Sequence, residues 1–290
     1  MSFTPRGVYT ALVTPFKDGS IDFKSYERLL KHQLDNGVQG FVVNGTTAES
    51  PALKVEEVRT LFEKTKSFVS GQVPLILGTG SNATFKAIHS TKLAKEWGAD
   101  AALVVCPYYN KPTQAGMKAH FLAIADSVDI PLVLYNVPGR TIVSLNPQTT
   151  VELSAHPNII SIKEASGDMD YLNHLEGRLP EEFALLSGDD GTYYEFLNKG
   201  GHGVISVMSH LIPQKVVEWT KSQSPEGAKD FESYKDLIAG LFIEPNPTPT
   251  KWALKEMGII ESAECRLPLL GLSDDGQAQL RPLLEKAGLI

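Results

Sequence analysis

Cysteine is the rarest residue in this chain: Cys106 and Cys265 are the two among 290 residues. So small a number excludes a disulfide framework, and a chain of this length buries enough core to fold without covalent staples. Cys106 closes the apolar run AALVVCP and reads as core packing. The seven histidines show neither an HExxH motif nor any paired spacing, so no catalytic metal is expected. There is no basic tract or RGG-type segment, and the net charge is −7, which argues against nucleic acid as a partner. No window approaches the length of a membrane span. The stretch MSFTPRGVYTALVTPF has no sustained apolar segment, because Pro15 interrupts the one candidate; it reads as a first strand and not as a signal peptide. These absences predict a cytosolic globular protein.

What the chain does have is rhythm. Short apolar runs recur along it: GVYTALVTPF, GFVVNG, PLILGTG, AALVVCP, PLVLYNVP, IISIKEA, FALLSGDD and GVISVMS. Amphipathic stretches such as DFKSYERLLKHQLDNG lie between them, with Leu29, Leu30 and Leu34 at helical spacing. The runs are continuously apolar instead of alternating, as parallel strands covered on both faces should be. Eight strand–helix units through about residue 224 predict a (β/α)8 TIM barrel. A doubly wound open sheet is the alternative, but such sheets rarely sustain eight evenly spaced units. After Ser222 the pattern turns helical, with SPEGAKDFESYKDLIAGLF, TKWALKEMG and DGQAQLRPLLEKAG and no strand between them. The expected organisation is therefore a barrel over 1–224 and a helical appendage over 225–290, with the EPNPTP segment as a rigid turn.

Function in a barrel collects at the C-terminal ends of its strands. Those ends are polar here: NGTTAES, CPYYN, YNVPGR, KEASGD and SGDDG. Within the sixth run, alternation puts Lys163 on the same side as Ile159 and Ser161, which is the barrel interior. Lysine is almost wholly protonated at neutral pH in water, and apolar burial disfavours the ammonium form. A neutral amine attacks a ketone to form a Schiff base, an electron sink for making or breaking carbon–carbon bonds. The alternative is that Lys163 pairs with Glu164, Asp189 or Asp190 and only fixes geometry. Tyr109, Tyr135 and Thr46 are able to relay protons without adding fixed charge, although a lone tyrosine serves equally as aromatic packing. Thr47, in a glycine-containing loop, offers a hydroxyl and a backbone N–H to a carboxylate. Arg140 has the fork geometry for a second carboxylate, or is a solvated surface charge.

One motif misleads. GTGSNA at 78–83 follows a strand and opens a helix, like a dinucleotide fingerprint. The acidic residue that should end the next strand is absent, since that strand closes with VVCP. No nucleotide cofactor, and no cofactor of any other kind, is expected.

GTTAES, CPYYNKPTQAG, LYNVPGRT, SIKEASGD, LLSGDD and GVISV, in this order, resemble the dihydrodipicolinate synthase family across essentially the whole chain. Its wider group includes N-acetylneuraminate lyase and related pyruvate aldolases. The resemblance implies a Schiff base between Lys163 and pyruvate, with Tyr135 as proton donor and acceptor. It implies a relay of Thr46, Tyr135 and Tyr109, the last reaching over from a neighbouring subunit. Thr47 and the main chain around Ile205 would hold pyruvate with Gly188 nearby, and Arg140 would bind the carboxylate of L-aspartate-4-semialdehyde. Family members are commonly homotetramers built as dimers of dimers. The rival readings are a lyase for sialic acid or a 2-keto-3-deoxy sugar acid, and a non-catalytic keto-acid sensor that needs no proton relay.

Two departures from the family pattern stand out. Ala48 replaces the usual glycine of the GTTGES loop, which would strain the backbone if φ were positive there. At the positions where lysine-sensitive members bind lysine, this chain has Val55, Val58 and Lys86, while Ser50, Asn82 and Tyr108 are retained. Two apolar residues and a like charge predict weak inhibition by lysine, or none.

Overall fold

All eight apolar runs form strands in the computed structural model, which describes residues 3–290. They are β1 (Gly7–Ala11), β2 (Gly40–Val43), β3 (Leu75–Gly78), β4 (Ala101–Val105), β5 (Leu132–Asn136), β6 (Ile159–Glu164), β7 (Ala184–Ser187) and β8 (Gly203–Ser206). Their cyclic order is β1-β8-β7-β6-β5-β4-β3-β2, a closed barrel, and the registers described between them are parallel. The fold is thus the (β/α)8 barrel with additional C-terminal helices that the period predicts. β2, β5 and β8 are buried along their whole length, which explains runs with no polar alternation.

The described residues form two compact units: residues 3–7 with Pro74–Ile205, and Val8–Val73 with Ser206–Ile290. In the first, one irregularity matters. Leu132 pairs with Ile159 but Val133 pairs with Ser161, so Ile160 is an extra residue in β6. From there the register runs on to set Tyr135 against Lys163 and Asn136 against Glu164. β7 continues the layer, with Lys163 against Leu186 and Glu164 against Ser187. Helix Thr84–Trp97 ends at Gly98, whose φ of 81° supplies the left-handed turn back toward β4. Helix Gln114–Ser127, capped by Thr113, packs on that helix and buries Phe121 and Ile124.

In the second unit β1 pairs with β2. Helix Phe23–Asp35 starts where Asp22 accepts the Ser25 N–H at 3.1 Å, and Leu29 and Leu30 are fully buried on its inner face. Helix Val55–Val69 opens with the Lys54 N–H donating to Glu57 at 2.9 Å. The C-terminal helices are Pro225–Ser233, Lys235–Gly240, Thr248–Glu256 and Asp274–Lys286, the last packing on the two before it. Among the described residues no helix is long and apolar enough to cross a membrane.

His210 ties this unit together as a neutral ring. Its Nε2 accepts the Val13 N–H at 3.1 Å, and its Nδ1 donates to the Val207 carbonyl at 2.8 Å. Burial holds its pKa down at about 4, from an ordinary value near 6.5. The unfolded chain therefore binds a proton first, so this stabilisation is complete above pH 6.5 and drains away as pH falls to about 4. At about 1.4 kcal/mol per pH unit, the swing is on the order of 3 kcal/mol. Urea denaturation at pH 7.5 and 4.5 should show wild type losing more stability than His210→Gln. The comparison between the two proteins removes the contribution of His120, whose pKa burial also lowers to about 4.

Candidate active site

The first unit gathers Lys163, Tyr135, Gly188 and Ile205. Strand alternation and the β5–β6 register bring the first two side chains to one face. Lys163 is 6% exposed, and its Nζ lies 4.4 Å from the centroid of the Tyr135 ring. The amine thus rests against the face of an uncharged aromatic ring. Two of the three anticipated acid partners, Glu164 and Asp189, are engaged elsewhere. Glu164 leaves the opposite face of β6 and accepts from Asn136 and Ser166, while Asp189 accepts from Thr192.

Gly188 follows β7 directly beside the lysine. A Cβ built there would lie 2.7 Å from Lys163 Cε, 2.9 Å from its Cγ and 2.7 Å from Ala165 Cβ. The absent side chain is therefore what lets Lys163 extend past this strand end. Gly203 pairs with Leu186 and Val204 with Ser187, and continuing that offset brings buried Ile205 beside Gly188.

Thr46 and Thr47 belong to the second unit, in the short 3-10 turn Thr46–Ala48 that follows β2. Thr46 is half-buried. Thr47 is buried, and its Oγ1 accepts from Asn246 Nδ2 at 3.0 Å. Ala48 is also buried, has no left-handed backbone, and accepts from Thr14 Oγ1 at 2.9 Å through its carbonyl. The strain considered for its methyl group does not arise. The left-handed position is the next one, Glu49, with φ of 59°. Its carboxylate accepts from Lys251 Nζ at 2.5 Å and from the Arg266 N–H at 2.8 Å. Both members of this ion pair are buried, at 2% and 0% side-chain exposure. Lys251 also donates to the Glu264 carbonyl at 2.7 Å and lies over the Phe16 ring. Burial pulls the Lys251 pKa down, and the Glu49 carboxylate opposes that pull.

Tyr109 and Arg140 are not gathered into the lysine cluster. Tyr109 stands in the loop after β4, 88% exposed, in a left-handed conformation with φ of 74°. For a tyrosine this is a strained backbone, a state found mostly where a loop is shaped for function. Arg140 is exposed on the short helix Pro138–Thr141 after β5. Of the positions compared with lysine-sensitive relatives, Val55 is exposed and Val58 buried, and Lys86 reaches to 6.0 Å from the exposed Phe85 ring.

The sequence reading passes over Asn246, Lys251, Glu49 and Asn136, and weighs Glu164 only as an ion-pair partner for Lys163. EPNPTP reads as a turn and gives no hint of a hydrogen bond to Thr47. Glu49 and Glu164 did carry a signal, being acids within or beside apolar runs, where only a buried partner makes them tolerable.

The chain is similar to dihydrodipicolinate synthases. A model of the dihydrodipicolinate synthetase family matches residues 4–287. A 4-hydroxy-tetrahydrodipicolinate synthase of Bdellovibrio bacteriovorus is 52% identical over 290 residues, covering 98% of this chain and 99% of the relative. The solved dihydrodipicolinate synthase of Thermotoga maritima aligns with a TM-score of 0.96 at 40% identity, over 99% of this chain and 100% of that one. An Acinetobacter baumannii dihydrodipicolinate synthase, solved with pyruvate, gives 0.93 at 42% identity over 98% and 99%.

The geometry at Gly188 makes a direct prediction. Gly188→Ala forces Lys163 aside or pushes β7 from β6, because Ala165 has no freedom to yield. Urea denaturation should show a loss of about 1–3 kcal/mol from overpacking. Turnover should fall at least about tenfold, since the amine is misplaced.

Proposed function

The chain belongs to the dihydrodipicolinate synthetase family, and from that premise we propose that it condenses pyruvate with L-aspartate-4-semialdehyde. It is an enzyme of the pyruvate-dependent Schiff-base class, and the reaction serves the synthesis of diaminopimelate and lysine. The observation that carries the reading is the buried Lys163 amine, set against Tyr135 and given room by Gly188. The relatives reported above are synthases of this kind, which supports it over the alternative of a sialic acid or sugar-acid lyase.

The chemistry follows from those groups. The neutral Lys163 amine adds to C2 of pyruvate, and loss of water leaves an imine. Loss of a C3 proton gives the enamine, whose carbon attacks the aldehyde of the second substrate. The amino group of that substrate then adds to the imine carbon, closes the ring and expels the lysine. Each stage moves a proton, and Tyr135 is our donor and acceptor, because a phenol does this without leaving a fixed charge beside the amine. Thr46 and Tyr109 extend the relay, Tyr109 from a neighbouring subunit; its exposed, strained loop suits that role. Thr47, Gly188 and the main chain at Ile205 hold pyruvate. Arg140 takes the carboxylate of the semialdehyde through its planar fork.

The same reading extends to the assembly. We place the catalytic barrel in 1–224 and a helical segment in 225–290, in a cytoplasmic homotetramer built as a dimer of dimers. No cofactor enters the scheme, because the imine itself is the electron sink.

Product formation from the two substrates tests the proposal. Wild type should turn over, Lys163→Ala should not, and Tyr135→Phe should lose roughly 10²- to 10⁴-fold in kcat. An inactive wild type would move the assignment to the sugar-acid lyases; an unimpaired Tyr135→Phe that still binds pyruvate would favour the sensor. A separate titration addresses regulation. With Val55, Val58 and Lys86 at the compared positions, sub-millimolar L-lysine should leave the rate unchanged, and clear inhibition there would refute lysine insensitivity.

A further inference from the structure

Behind the Tyr135–Lys163 pair lies a second polar layer that the proposed chemistry leaves unused. Asn136 and Glu164 each follow one member of the pair, so their side chains leave the opposite faces of β5 and β6. Both are buried, at 0% and 2% exposure. Asn136 Nδ2 donates to Glu164 Oε1 at 2.9 Å, and its Oδ1 accepts the Leu145 N–H at 3.0 Å. Ser144 Oγ lies 3.1 Å from the same Nδ2. Glu164 receives the Ser166 N–H at 3.1 Å on both carboxylate oxygens, and the Ser166 hydroxyl at 2.9 Å.

The main chain closes the same layer. The Ala165 N–H donates to the Asn136 carbonyl at 2.9 Å, and the Gly188 N–H donates to the Glu164 carbonyl at 2.6 Å. Three strand ends are thereby joined through two residues, and Ser144–Leu145 ends the loop that carries Arg140. Packing alone would fill this space with two apolar side chains at no desolvation cost. Burial pushes the Glu164 pKa up, so the site keeps a group that it disfavours. What the polar pair adds is direction, since hydrogen bonds weaken steeply off axis whereas apolar contacts do not.

Resting on the Schiff-base reading of Lys163, we propose that Asn136 and Glu164 are positioning residues for catalysis. Their hydrogen bond sets the relative height of Tyr135 and Lys163 and fixes the return of the Arg140 loop. Neither side chain touches substrate, because both lie on the far side of the strands from the amine.

A polarity swap tests this. Asn136→Asp sets two carboxylates together and breaks the bond, whereas Glu164→Gln keeps an amide oxygen for Asn136 Nδ2, turns its NH2 to the Ser166 hydroxyl and removes only the charge. N136D/E164Q restores one donor and one acceptor, with the direction reversed and the charge conserved. We expect Asn136→Asp to lose roughly ten- to hundredfold in kcat, as misplaced reacting groups do, and Glu164→Gln to lose much less. The KM for pyruvate should move much less, and the double variant should regain most of the loss. Tm is read in parallel, since a purely structural role lowers Tm without altering the kcat of the folded fraction. Ser166→Ala removes one donor to Glu164 at little risk to folding and should show a smaller kcat loss. Asn136→Asp and Ser166→Ala variants that keep wild-type kcat overturn the proposal, as does a double variant no better than the product of its singles. Wild type without condensation would overturn the functional reading, and this inference with it; an active wild type beside unimpaired variants overturns the inference alone.

Discussion

The β5–β6 register carries the rest of the site. Leu132 faces Ile159, but Val133 faces Ser161, and from that one-residue step Tyr135 comes to stand against Lys163. Carrying the first offset along the strands unchanged would set Tyr135 against Ile162. Successive residues of a strand point to opposite faces, so the amine would then lie across the sheet from the ring. The extra residue, Ile160, thus decides that amine and phenol share a face and that Asn136 and Glu164 share the other. Irregularities of this kind recur next to active sites because they re-aim side chains without ending the strand.

A second constraint operates in the other unit. The GTTAES loop is anchored by a carboxylate buried as deeply as its lysine partner. Such a pair is weak support for stability as such, because desolvation offsets much of the attraction, yet removing one partner costs about 3–5 kcal/mol. Its consequence here is geometric. Glu49 is held in a left-handed conformation by bonds to Lys251 and Arg266, and Thr46 to Ala48 form their turn immediately before it. Asn246 reaches Thr47 from the same C-terminal region. The helical segment after the barrel is therefore a support for the threonine loop as well as an appendage.

A nucleophilic amine needs a neutral, apolar setting, while the reaction needs protons and carboxylates to be handled close by. In the first unit an uncharged phenol, Tyr135, lies against the Lys163 amine; in the second, the hydroxyl of Thr47 is buried and bonded to Asn246. The buried acids bond to neighbouring protein groups, Glu164 to Asn136 and Ser166 and Glu49 to Lys251.

The periodicity of the eight apolar runs made the barrel legible, because parallel strands covered on both faces have no reason to alternate. The burial of Lys163 was legible for a related reason: the rest of IISIKEA reads as interior strand. The ordinary backbone of Ala48, the strain at Tyr109 and the exposure of Arg140 were not, since φ and burial depend on neighbours distant in sequence. The same holds for Asn246 with Thr47 and Lys251 with Glu49, pairs separated by about two hundred residues. Local pattern by itself thus determined strand, helix and the polar rim, because these follow from the burial of single elements. Which face Lys163 shares, and what lies behind it, only the tertiary structure decided, because register and long-range hydrogen bonds exist only once the strands have paired.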